Sequence, residues 1–261
     1  AVKLFGLLRR CIHLGEQGEA FAKRYPSQIN IDRQHSVSSY TIDWNAPQKG
    51  IVTFEHGKHT FTVGNALVIM GTQELAYPEE GMSELSITTG ITGPNGIAHD
   101  EARQQMFAIL QKILQAGWQI FIDRGDPRLR GKDAFNYVMT TSHYSTLDAS
   151  YLPTFEEWMQ IESRTTWKFY ADHVYLEVNF TREHTLTDPT KPGAYLIGFN
   201  LKNEAEHFRG YVGPDNRKCW KELLPAELAK LIPMRAETEA KMRAKGIQID
   251  ETYQDPPVPA F

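Results

Sequence analysis

Two cysteines, Cys11 and Cys219, are all that the 261 residues contain. That is too few for a disulfide framework or a four-thiolate zinc site, and the sequence leaves open whether the two thiols pair. No run of about eighteen apolar residues occurs, so no segment reads as a membrane span. A basic excess is missing as well. The formal net charge is −4 with both signs mixed along the chain, whereas proteins that bind nucleic acid through its phosphates carry a clustered positive surface. Nucleic acid is therefore not an expected partner. Also absent are G-x-S-x-G, H-E-x-x-H and G-x-G-x-x-G, the signatures of a nucleophile elbow, a zinc protease and a dinucleotide fold. The expectation is no metal, no cofactor and no catalysis.

What is present is ordinary globular material. With 41% hydrophobic and 23% charged residues, the chain has enough apolar surface for a core, as one large domain or two lobes. Residues 1–25 read as a helix with a basic face, interrupted at Gly15 and Gly18, and residues 1–30 as an N-terminal helical segment ended by Pro26. "SVSSYTIDW" alternates with Val37, Tyr40, Ile42 and Trp44 as inward positions. "GIVTFEHGKHTFTVG" reads as a hairpin, and "NALVIM" and "SELSITTGITG" as further strands. Asp100 is placed to cap a helix whose Met106, Ile109, Leu110, Ile113 and Leu114 fall at helical spacing, with Gly117 as its stop. "WQIFI" follows as a strand.

The second half repeats the idea loosely. "TFEEWMQIE" reads as a short helix; "HVYLEVNFTRE" and "GAYLIGFNL" alternate and pair across a Pro-containing connection. Pro225 is placed near a helix start, Pro233 interrupts that helix, and the Pro-rich tail runs extended over the surface. The fold class that follows is α+β: a mixed or antiparallel sheet with helices packed on one face, in two similar lobes at 31–140 and 141–245, and a tail at 246–261.

The stretch "FIDRGDPRLRGKDAF" at 121–135 imitates a phosphate-binding loop. A Walker loop has four residues between its glycines and a Ser or Thr after the lysine. Here five residues separate Gly125 from Gly131, and Asp133 stands at the hydroxyl position. Pro127 also removes a backbone N–H that would face phosphate. The loop is then either a solvated turn with internal ion pairs or a recognition surface, since arginine forks grip carboxylates in fixed geometry. Arg124, Asp126, Arg128, Arg130 and Tyr144 are the candidate partner-binding residues.

Other chemistry is thinner. His56 and His59 sit at the hairpin turn without a third ligand, and Glu204 and His207 make a lone E-x-x-H; all read as turn or surface histidines. Asp172–His173 and Glu183–His184 are neighbours read on strands, where adjacent side chains point apart. Trp158 and Phe180 read as core; Tyr144 and Tyr151 as core or anchor alike.

Four segments taken together carry a family likeness: "GWQIFIDRGDPRLRGKDAF", "TLDASYLPTFEEWM", "WKFYADHVYLEVNFTREHTLTDPTKPGAYLIGFNL" and "YVGPDNRKCWKELLPAELAKL". Across roughly residues 84–258 the chain resembles bacterial immunity proteins encoded beside type VI secretion effectors, particularly lipase-type toxins. The resemblance implies a periplasmic, often lipid-anchored protein. It would bind a cognate secreted toxin and block its active site, and would not itself be an enzyme. "LLRRC" puts Arg9 and Arg10 where a lipobox has small residues, so an anchor is expected upstream of Ala1 rather than at Cys11. Two other classes stay open: a periplasmic small-ligand-binding or sensor protein, with a concave apolar pocket, and a hydrolase of unfamiliar type, with perturbed titrating groups in a cleft.

Overall fold

Alternating apolar residues from both halves of the chain build one sheet. The computed structural model describes residues 9–45, 48–141 and 144–260. Among them, ten strands share the sheet: β1 (Arg9–Ile12), β2 (Ile29–Arg33), β3 (Val37–Asp43), β4 (Gly50–Phe54), β5 (Phe61–Glu74), β6 (Met82–Gly90), β7 (Gln119–Ile120), β8 (Thr166–Ala171), β9 (Val174–Arg182) and β10 (Tyr195–Asn203). Their order is β1-β4-β5-β6-β10-β9-β8-β7, with β3 and β2 branching from β5. Every pairing is antiparallel except β1 with β4. The helices are α1 (Gly18–Arg24), α2 (His99–Gln115), α3 (Gly131–Thr140), α4 (Phe155–Gln160), α5 (Glu204–Val212) and α6 (Trp220–Ala244). The fold is α+β, as expected.

β5 changes partner part-way along. Its first residues pair with β4 and its last with β3, and the register against β6 shifts between Ala66 and Val68. Asn65, at φ 56°, supplies the left-handed residue just before that bulge. Beyond it a row of apolar residues runs laterally through Ile42, Ile69, Ile87, Phe199, Val178 and Trp167, each aligned with the next by strand register and each buried. β6 and β10 pair from Gly90↔Leu196 to Glu84↔Lys202. The sheet therefore passes without a break across the boundary drawn at residue 140, and one apolar cluster extends from Ile12 to Leu201.

On the face of Leu176, Val178 and Phe180, α2 and α4 bring Phe107 onto Trp167 and Trp158 onto Phe180. Tyr175 points to the other face, where Phe121, Phe208 of α5, and Trp220 and Leu224 of α6 form a second cluster. Helices thus cover that face as well as the one expected.

Several local expectations change. Arg9–Ile12 is a strand rather than helix, drawn into parallel pairing with β4, and the helix begins only at Gly18; residues 1–8 lie outside the described part. Ser38, not Val37, is the buried position at the start of β3. Ala98 caps α2, while Asp100 lies in the first turn and holds Arg103 and Gln104 instead. Gly117, at φ 84°, ends that helix as expected. α6 starts five residues before Pro225 and runs through Pro233, because tertiary packing of Trp220, Leu224 and Glu239 outweighs the two lost rungs. Asp172 and His173 are the left-handed pair of the β8–β9 turn, at φ 39° and 67°, rather than strand residues. Glu183 and His184 lie beyond β9 and touch at 2.9 Å.

Charge joins the halves on the α5 side. Arg209, fully buried, forks onto Glu80 at 2.8 and 2.6 Å, contacts Glu206, and lies over the Tyr77 ring at 4.1 Å. Arg217 adds bonds to Glu206 and Glu74. Burial alone would lower the Arg209 pKa, but the surrounding carboxylates hold it above its ordinary value. Removing one partner from such a buried cluster leaves uncompensated charge. Arg209→Ala is expected to destabilise the fold by about 3–5 kcal/mol, read from urea unfolding; a change under about 1 kcal/mol would contradict the network's role.

Candidate functional site

The loop that imitates a phosphate cradle is clamped from behind by the C-terminal part of the chain. After β7, Phe121 N–H still bonds to the Lys168 carbonyl, and a tight turn closes with Asp126 N–H to the Asp123 carbonyl. Arg235 of α6 donates to both the Asp123 and Asp126 carbonyls at 2.8 Å and grips Asp255 through two nitrogens. Arg128 forks onto Glu239 at 2.7 and 2.8 Å and reaches Glu251 at 3.2 Å. Its hydrogen bonds hold the Glu239 carboxyl below the usual carboxylate range against burial. Arg130 bonds Asp250 at 2.8 Å, while Arg124 donates to the Pro256 carbonyl at 2.5 Å. Tyr253 Oη spans both backbone groups of Ile122. The tail, expected to run extended over the surface, buries Ile249 against Leu129 and Ala134. Its acidic residues answer the loop's arginines.

The other side of the loop borders a cleft of about 410 Å³. Arg124 and Asp126 line it from the loop, Tyr144 and Ser145 from the segment before β8, and Lys168 from β8. His207 and Tyr211 line it from α5, Leu231 and Met234 from α6. The structure therefore brings together three of the five predicted residues. Arg128 and Arg130 do not line the cleft; they face the chain's own Glu239 and Asp250. Tyr144, 88% exposed, stands on the rim.

Electrostatics inside the cleft follow from burial. The Lys168 ammonium meets Asp123 at 2.5 Å and the Tyr144 carbonyl at 3.0 Å. Burial works against its charge, but Asp123, Glu177 and Asp126 more than offset this and raise its pKa. Burial pushes the Asp126 carboxyl up, and the Asp123 charge adds to the effect. His207 stacks on Tyr175 with ring centroids 3.4 Å apart. Burial, together with Lys202, Arg124 and Lys168, lowers its pKa to about 3, so the ring is neutral at pH 7. This corrects its reading as a surface histidine. The spacing of His207 and Tyr211, one helical turn apart beside buried Phe208, was the available signal. Lys168, Ser145, Leu231 and Met234 carried no such signal, because distant segments bring them together.

Ser145, His207 and Asp126 are hydrolase residue types in one cleft. Ser145 nevertheless hydrogen-bonds toward Asp126 rather than His207, whose Nε2 lacks a hydrogen-bond partner, and an imidazole with a pKa near 3 is a weak base. His56 and His59 are tied to the Ala171 and Ala116 carbonyls, both at 2.9 Å, His59 being buried. Among the described residues, no three His, Cys, Asp or Glu side chains are placed to hold a metal ion. Cys11 and Cys219 are both free thiols. No described helix is long and apolar enough to cross a membrane. No family model, curated protein or solved structure matches the chain.

Two measurements probe this geometry. Arg128→Ala strands the buried Glu239 carboxylate, so a loss of about 3 kcal/mol is expected in urea unfolding; combining it with Glu239→Ala should restore part of that loss. The second concerns pH. The folded pKa of His207 lies below its unfolded value of 6.5, so the unfolded chain binds more protons on acidification. Its contribution is full above pH 6.5 and declines as pH falls toward 3. His207→Phe, which keeps an aromatic ring against Tyr175, should flatten the stability slope between pH 6.5 and 4. An unaltered slope would refute a buried neutral His207.

Proposed function

We propose that this protein acts by binding another protein: it is an immunity protein that holds a secreted antibacterial effector of the type VI secretion kind. The effector in this reading is a lipase-type enzyme, and binding occludes its active site in the periplasm. One structural observation supports binding above all. Exposed aromatic and apolar side chains, Tyr144 and Met234, line a cleft whose loop is already fixed by ion pairs behind it. Large side chains at the centre of an interface supply most of its energy. Loops that are ordered before contact lose little further entropy on docking. The four segments that resemble immunity proteins include the cleft's loop, Lys168 of β8, and Tyr211 and Leu231.

The partner-facing residues in this proposal are Tyr144, Asp126 and Arg124, joined by Met234. Arg128 and Arg130 serve it from behind, by holding the loop to the tail. The hydrolase alternative is less well supported, since its serine and histidine are not engaged with one another.

The test is a pull-down with the tagged full chain from a source lysate in which type VI effectors are confirmed present, with mass spectrometry of what co-purifies. Near-stoichiometric recovery of one secreted lipase, whose turnover the added protein abolishes, is the expected result. Tyr144→Ala with Met234→Ala should reduce recovery at least tenfold, in line with the loss of two interface anchors, without changing Tm. Failure to retain any effector would overturn the inhibitor reading.

A further inference from the structure

The cleft combines a carboxylate without an ion pair, an unpartnered imidazole nitrogen and an apolar wall beside them. Asp126 forms no ion pair among the described residues: neighbouring Asp123 takes Lys168, and Arg235 takes Asp255. Ser145 faces the Asp126 carboxylate as a hydrogen-bond donor, whereas His207 Nε2 is buried with no hydrogen-bond partner and, on a neutral imidazole, can accept. Leu231 and Met234 line the same space with aliphatic surface, and Tyr211 with aromatic surface. The two cations bordering the cleft are already ion-paired, Lys168 with Asp123 and Arg124 with Asp255, although Arg124 Nε is buried without a hydrogen-bond partner.

A group entering here meets the Asp126 carboxyl and the His207 acceptor at its head, with apolar surface along its stem. An anionic head would reach the unpartnered Arg124 Nε but would face Asp126 and Asp123 and bring no donor for His207. A neutral alkyl group would leave the carboxylate without an ion pair and the imidazole nitrogen without a partner. A long aliphatic stem ending in a cluster of N–H donors satisfies both parts, and lysine and arginine have that form. We propose that the cleft takes one basic side chain, lysine or arginine, presented by the bound protein. This rests on the binding reading above and specifies the residue class at the centre of that interface. Asp126 is its principal acceptor, and the stem lies against Met234 and Leu231.

The experiment uses the full-length, ¹⁵N-labelled chain titrated with ethylguanidinium chloride and n-butylammonium chloride. n-Butanol, sodium butyrate and sodium chloride serve as controls at matched concentration and ionic strength. Saturable shifts at the Gly125, Ser145 and Gly210 amides are expected for the two organic cations and not for the controls. Asp126→Asn should weaken this binding about tenfold or more, the loss of a charge-assisted hydrogen bond. Met234→Lys, an exposed position where a lysine sets a competing ammonium at the mouth, should weaken it too while leaving Tm unchanged. Equal shifts with butyrate, shifts that never saturate, or full affinity in Asp126→Asn would overturn the assignment. If the wild-type chain captures an effector and the cleft ignores both cations, the pocket proposal fails and the inhibitor reading stands. If the cations bind and no effector is captured, the pocket stands and the inhibitor reading fails.

Discussion

Lateral register across the sheet is the constraint on which everything else in this molecule depends. Ile42, Ile69, Ile87, Phe199, Val178 and Trp167 occupy one row through six strands drawn from both halves of the chain. Slipping any one strand by a single residue would turn its core side chains to the opposite face. Six such side chains represent on the order of 10 kcal/mol of burial, as large as the whole stability of an ordinary domain. Register therefore fixes where Lys168 leaves β8 and where α5 leaves β10. Those two points define the cleft.

Around that frame, apolar contact and charge have separate tasks. The face of α2 and α4 is dry and aromatic. On the other face, α5 and α6 are held partly by the Tyr175 cluster and partly by arginine–carboxylate groups at two places, one at Arg209 and one along the loop at 123–130. Charged side chains are poor general adhesive, because desolvation offsets much of their attraction. Forked arginines do impose direction, however, and a loop without regular secondary structure needs that more than it needs adhesion. The chain uses them where a strand ladder is missing.

Much of the fold was legible because it rests on short-range periodicity. The 50–64 hairpin, α2 with its Gly117 stop, and the β9–β10 pair all announce themselves through alternation or helical spacing. The failures share a cause. Arg9–Ile12 is short, and parallel pairing with distant β4 decides its state. α6 passes through Pro225 and Pro233 because contacts at Trp220, Leu224 and Glu239 outweigh local propensity. At the site, the sequence exposed the chemistry of the 121–135 loop and excluded phosphate binding from its spacing. It could not show that residues 239–256 supply the partners of its arginines, since the contacting positions are more than a hundred residues apart. Buried His207 escaped notice for the same reason: its desolvation comes from packing against β9 and the loop.

The tail's attachment also sets a time order on the molecule. A chain leaves the ribosome from its N-terminus at roughly 5–20 residues per second, and its parts fold as they emerge. The sheet is complete in sequence once Asn203 has emerged, but the loop at 121–130 then still waits for Arg235, Glu239, Asp250 and Asp255. Until those residues arrive, its arginines face water or whatever carboxylates lie within reach. The wall of the cleft is thus finished only once residues 235–255 have emerged, and a nascent chain has its core well before it has that wall.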